Sequence, residues 1–217
     1  MIEGLSERRI AALCGIGGSL ALVAYFAAPV LLGWPYAGAS PQAIAAYATR
    51  HDRLFYAGAG LQVTGTFLCV VFFLALLRLS DAAPRLAGMV LVVAATSLVA
   101  TAVVEAALLV AVPMAAAAGD MATVATTFAM SNGVFVRIFP LAPASATYVA
   151  LGAVLLGARV IDRRFGYAAL AMGLAFEVAG LLAILADGAL LIVAILAAGQ
   201  VAWVVAASIG LLRSAEA

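Results

Sequence analysis

Six apolar stretches of about twenty residues or more take up most of this 217-residue chain, and each is long enough to cross a roughly 30 Å hydrocarbon core as a helix. Lipid offers no partner to backbone N–H and C=O groups, so such stretches are expected to be helical throughout. The spans fall at about 10–33, 54–77, 86–112, 134–158, 167–186 and 189–212. The first follows Glu7, Arg8 and Arg9, is too long for a signal-peptide core, and is expected to be an uncleaved anchor. With 67% of residues hydrophobic and 10% charged, against about a quarter charged in soluble domains, no soluble domain fits in what remains. The expectation is an all-α polytopic membrane protein, with one six-helix bundle domain over residues 1–217. Cytosolic enzymes, nucleic-acid binders and secreted disulfide scaffolds are excluded.

All eleven basic residues are arginines. Each is a permanent charge suited to phosphate or carboxylate, so lysine-based Schiff-base chemistry is unavailable. Cytoplasmic loops collect positive charge. With both termini inside, Arg8, Arg9, Arg78, Arg85, Arg159, Arg163, Arg164 and Arg213 face the cytoplasm, against Arg50, Arg53 and Arg137 outside. This predicts a multi-pass protein of the inner (plasma) membrane with cytoplasmic termini. Cys14 and Cys69 lie in different apolar spans, where packing rather than a disulfide is the default. A single histidine rules out a bis-histidine haem or a multi-histidine metal centre, and no metal or other cofactor is expected. The chain has no P-loop, no Gly-x-Ser-x-Gly elbow and no aspartate-rich diphosphate motif. Expected partners are membrane lipids and a lipophilic small molecule, not nucleic acid; the oligomeric state is open.

Two short outer helices are expected. Ser40 and Pro41 form an N-cap and first-turn pair, with Ile44, Tyr47, Ala48 and His51 at helical spacing. Between spans three and four, Gly119 ends one helix and Asp120 caps a short one through about Met130, before Ser131, Asn132 and Gly133 turn the chain. These helices either form a lid or only cover the surface. Gly15, Gly17, Gly18, Gly152, Gly173 and Gly180 are expected where helices approach closely.

The residues that do not belong in lipid carry the functional signal. Glu105 in span three and Glu177 in span five are acids at bilayer depth, which normally face a bundle interior and mark a site or proton path. The competing reading is a neutral acid that hydrogen-bonds a neighbouring helix. Ser97, Thr101 and Glu105 recur every four residues, and Gln62, Thr66, Cys69 and Phe73 share a face of span two. Span four adds Ser145, Tyr148 and Gly152, and span six adds Gln200 and Trp203. These stripes are expected to converge on one cavity, with Glu105, Glu177, Gln62 and Tyr25 at similar depth, roughly 10 to 14 Å below the outer surface. Asp187 and Arg137 would lie nearer its mouth, with Asn132 and His51 on the rim; Arg137 could instead simply mark the headgroup boundary.

Desolvation favours the neutral form of a carboxylic acid, which can then donate a proton. To a lipophilic alkene this starts carbocation chemistry, provided aromatic faces stabilise the cation. Candidate walls are Tyr25, Phe26, Phe67, Phe73, Phe135, Phe139, Tyr148, Phe176 and Trp203, although the same rings could only fill space. A transporter would use the two glutamates by alternating their protonation. The likeness of 105-EAALL to 177-EVAGLL is weak evidence for an inverted repeat, and no selectivity ring supports a channel.

The Arg9-led glycine-rich first span, the Pro-initiated outer helix ending Ala-Thr-Arg-His-Asp, and the second span opening Tyr56-Ala-Gly-Ala-Gly60 resemble a large bacterial family of small six-helix membrane proteins of unknown function. More loosely, size, topology and paired intramembrane acids resemble the small membrane-bound terpene cyclases. That second resemblance implies Glu105 and Glu177 as the protonating pair. The resulting expectation is a membrane enzyme that cyclises or isomerises an isoprenoid-type substrate. Glu105 and Glu177 would be catalytic, with Gln62, Tyr25, Phe67, Phe73, Tyr148, Trp203, Asn132, Arg137 and Asp187 around the substrate. The alternatives are a proton-coupled exporter of a small lipophilic compound and a non-catalytic membrane partner protein.

Overall fold

The computed structural model describes residues 2–35, 38–83, 85–158, 160–185 and 190–214. Every regular element among them is helical. The order is α1 (Ile2–Leu31), a short α2 (Pro41–Arg50), α3 (Asp52–Leu79), α4 (Leu86–Ala117), α5 (Met121–Gly133), α6 (Ser145–Leu156), α7 (Arg163–Leu185) and α8 (Leu190–Arg213). Six helical segments are long and apolar enough to span a membrane: α1, α3, α4, the continuous segment Met121–Leu156, α7 and α8. This is a multi-pass membrane architecture.

Each span packs on the next in chain order, and α8 closes back on α1, so the six form a ring. A six-membered ring leaves a wider axis than four helices do, and aromatic side chains fill part of it. Tyr148 sits at the centre of this plug, with ring centroids 5.7 Å from Phe73, 5.6 Å from Trp203 and 6.1 Å from Phe176. All four rings are buried. The perimeter is apolar and exposed, as at Leu13, Leu20, Val93 and Ile195, which is how a surface that meets lipid is composed.

Glycines set the closest approaches. A Cβ on Gly18 of α1 would lie 2.7 Å from the Gly65 carbonyl oxygen of α3, so the two backbones touch there. Gly166, Gly173 and Gly180 recur every seven residues along α7 and face the 121–156 span at Gly152, Val149 and Leu141. Gly17, expected to take part in close packing, has only a Leu68 methyl 3.8 Å from where its Cβ would be.

The fourth span departs from expectation. Ser131, Asn132 and Gly133 do not turn the chain; they continue α5 into π-helical segments at Val134–Ile138 and Pro140–Ala144 and then into α6. Asn132 Nδ2 donates to the Phe128 carbonyl at 2.9 Å, so its polar group is satisfied within the helix. Pro140 and Pro143 lack N–H groups and cannot keep an unbroken i→i−4 ladder. The chain widens instead of breaking: Phe139 N–H donates to Val134 O at 2.9 Å and Ala144 N–H to Phe139 O at 3.0 Å.

α4 also runs longer than its expected end at 112, with Pro113 inside it. The α4–α5 hairpin ends α4 at Gly119, which has φ +73°. Asp120 then caps α5, accepting from Thr123 N–H at 3.1 Å and from its hydroxyl at 2.6 Å. These bonds hold the Asp120 carboxyl below the usual carboxylate range. Against the hairpin lies α2, capped by Ser40, whose Oγ accepts from Ala43 N–H at 3.3 Å. Ile44, Ala48, Phe55, Val112, Val124 and Phe128 make a second small core at this end of the bundle. Trp34 covers it, 5.0 Å from Phe55 and 5.8 Å from Phe128. Ser40→Ala is expected to cost about 1 kcal/mol of local stability, read as roughly fivefold faster hydrogen exchange in α2; unchanged exchange would mean that the cap does not hold α2.

The opposite end carries the arginines at the starts of α1, α4 and α7 and the ends of α3 and α8. Arg8 Nη1 donates to the Ser214 carbonyl at 3.2 Å, and Arg78 pairs with Glu7 at 2.9 Å. Both contacts are exposed and contribute little energy.

Candidate functional site

Glu105 is the one acid that the fold buries completely among the described residues, with 5% of its surface exposed. It faces a cavity of about 40 Å³ walled by α1, α3, α4, the π-helical part of span four and α8. From α1, the Tyr25 hydroxyl donates to Glu105 Oε1 at 3.2 Å. From α3, the Gln62 carboxamide lines the same cavity. Thr66 and Cys69 continue the α3 wall one and two turns away, and Gln200 of α8 closes the opposite side. The side-chain carbonyl oxygens of both Gln62 and Gln200 are buried without a hydrogen-bond partner. Phe26, Phe135 and Phe139 supply aromatic wall, Phe26 meeting Phe135 at 5.6 Å and Phe135 stacking on Phe139 at 5.8 Å.

The expected stripe on α4 enters the cavity only in part. Steps of four residues advance a helix face by roughly 40° each, so the face turns from exposed Ser97 through half-buried Thr101 to buried Glu105. Both hydroxyls bond back to their own helix, Ser97 to Val93 O at 3.1 Å and Thr101 to Ser97 O at 2.9 Å. On α3 the drift is smaller because one step is three residues; Gln62, Thr66 and Cys69 reach the cavity, and Phe73 passes into the aromatic plug.

Several expected site residues stand elsewhere. Glu177 is half-buried on α7, a helix that contributes no side chain to the cavity wall, so the two acids do not share a site. Phe67 is 55% exposed on the outer face of α3. Phe73, Tyr148 and Trp203 belong to the aromatic plug, and Trp203 Nε1 donates to the Phe165 carbonyl at 3.1 Å. Asn132 is spent within α5. Arg137 ties span four to α7, its Nε donating to the Ala183 carbonyl at 3.2 Å, and does not line the cavity. His51 lies at the α2–α3 junction against the Tyr47 ring, 4.6 Å between centroids. Asp187 lies outside the described residues. The apolar wall residues Leu22, Leu98, Ala102, Ala197 and Val201 carried no signal in a sequence full of leucine, valine and alanine.

A second cavity of about 40 Å³ lies on the other side of Tyr25, walled by apolar side chains including Trp34, Leu61 and Leu109. The Glu105 cavity has room for a few waters or one small polar group. A whole drug-sized molecule needs roughly 300 Å³ or more. Chemically, the carboxyl can hold or release a proton, with the Tyr25 hydroxyl placed to donate to it when the proton has left. No group of three or more histidine, cysteine or acidic side chains that could hold a metal occurs among the described residues.

No protein-family profile matches this chain, and no curated protein or solved structure matches it either.

Proposed function

We propose that this protein binds a small lipophilic compound within the membrane in exchange for a proton at Glu105, acting as a proton-coupled carrier. The arginine-bearing end, and with it both termini, faces the cytoplasm; α2 and the α4–α5 hairpin form the outer cap. The observation that supports this reading is a single buried carboxyl in a cavity with hydrogen-bonding side chains from three other elements. One acid suffices for proton coupling. The π-helical stretch that forms the Phe135 and Phe139 wall supports it too, since such distortions concentrate at functional sites and give a wall that can rearrange.

Reconstituted in liposomes under an imposed pH gradient, the wild type should accumulate some members of a panel of radiolabelled lipophilic compounds. Glu105→Gln should reduce that accumulation at least tenfold, and Glu177→Gln should leave it unchanged. Equal accumulation by wild type and Glu105→Gln would end the proposal.

The isoprenoid reading has its own support in the aromatic faces of Phe26, Phe135 and Phe139 beside the acid, where a carbocation would be stabilised. In this version Glu105 alone is the acid, and the substrate's reacting end alone enters the cavity. Cells fed farnesylated or geranylgeranylated aromatic compounds would then yield an isomer of unchanged mass that is lost in Glu105→Gln. Unaltered substrates, with stably inserted protein, would count against it.

A further inference from the structure

We infer that the compound taken at Glu105 carries a protonated amine: the cavity is built to receive a lipophilic ammonium ion. This inference rests on the reading of the Glu105 cavity as a ligand site and adds the ligand's chemistry.

The buried polar atoms without partners here are both acceptors. Gln62 and Gln200 are 5% and 7% exposed, both line the cavity, and in each it is the carbonyl oxygen that is unpaired. Buried acceptors left unpaired are costly, so an occupant that supplies donors is favoured over a purely apolar one. An ammonium head has three N–H donors and no acceptor. That number matches the two amide oxygens and the carboxylate.

Charge points the same way. No basic side chain lines the cavity, so a carboxylate at Glu105 has no compensating charge from the protein. An ammonium ion supplies it. The aromatic faces of Phe26, Phe135 and Phe139 add cation–π attraction, which a hydroxyl ligand would not gain. A cavity of about 40 Å³ suits a compact head group, and the apolar cavity across Tyr25 offers space for a hydrocarbon or aryl tail. The exchange balances: an alkylammonium ion enters, neutral Glu105 loses its proton to solvent, and an ammonium–carboxylate pair remains. Tyr25 and Cys69 are the other titratable side chains on the wall.

The test is calorimetric titration of the protein in lipid nanodiscs with hexylammonium chloride and, separately, with 1-hexanol, empty nanodiscs being the reference. The expected result is saturable hexylammonium binding with proton release that rises toward one per ligand as the pH is lowered, read by repeating the titration in buffers of different ionisation enthalpy. Binding should weaken at least tenfold in Gln200→Leu and vanish in Glu105→Gln, while 1-hexanol shows no saturable binding. The wild-type comparison needs no variant, so a misfolded substitution cannot mask the answer. Saturable 1-hexanol binding equal to that of hexylammonium, or hexylammonium binding without proton release even at the lowest pH, would overturn the ammonium assignment. If hexylammonium fails while another lipophilic compound is still transported in a Glu105-dependent way, the amine class falls and the site stands. If no ligand depends on Glu105, both fall.

Discussion

Gly18→Val should unseat α1 from α3 and lower the stability of the whole bundle, while Gly17→Val one residue earlier should be tolerated. A Cβ at position 18 would lie 2.7 Å from the Gly65 carbonyl oxygen and 2.9 Å from the Cys69 backbone nitrogen. Neither atom can move without shifting α3 itself. Overpacking of this kind typically costs about 1–3 kcal/mol and occasionally more. Backbone contact places this substitution at the upper end, because no side chain can rotate out of the way. A Cβ at position 17 would meet only a Leu68 methyl, at 3.8 Å. Denaturation in mixed micelles with increasing dodecyl sulfate should show the midpoint of Gly18→Val falling sharply and that of Gly17→Val staying close to wild type. Equal midpoints would mean that the α1–α3 crossing is not held at Gly18. The same shift also has a functional reading, since α1 and α3 deliver Tyr25 and Gln62 to Glu105.

Tyr148 separates packing from chemistry with two substitutions. Its ring is fully buried among Phe73, Phe176 and Trp203, so Tyr148→Ala removes the centre of the aromatic plug. A loss of about 3–5 kcal/mol is expected, the range for deleting a large buried aromatic ring. Tyr148→Phe keeps the ring and removes a buried hydroxyl that has no partner. That change should be neutral or stabilising by about 1 kcal/mol, since an unsatisfied polar group is lost. Thermal unfolding of the purified protein in detergent would read both. Transport or product formation should be kept in Tyr148→Phe; its loss there would return Tyr148 to the site and contradict its placement in the plug.

Six spans and the caps at Ser40 and Asp120 were legible in the sequence because each follows from local chemistry, whereas the start of span four was not. Twenty apolar residues have one stable form in lipid, and a serine before proline caps a helix wherever it stands. The buried acid was legible for the same reason: Glu105 has no charged neighbour within a dozen positions. Its partners were only half legible. Gln62 and Tyr25 showed as polar groups at a common depth, but Glu177 showed the same signal and does not join them.

Hydropathy reports depth in the membrane and says nothing of azimuth. Which way each helix is turned about its own axis was decided by the glycine contacts of α1 with α3 and of α7 with span four. Those contacts hold α7 with Phe176 inward, on the plug, and leave Glu177 off the cavity. The missing turn at 131–133 has a comparable origin, since two prolines nearby deform the helix without ending it when neighbouring helices enclose it. The sequence by itself determined a six-span helical membrane chain with an acid at depth. Tertiary packing alone decided that one acid, rather than two, faces the cavity, because helix rotation is set by contacts between spans distant in the chain.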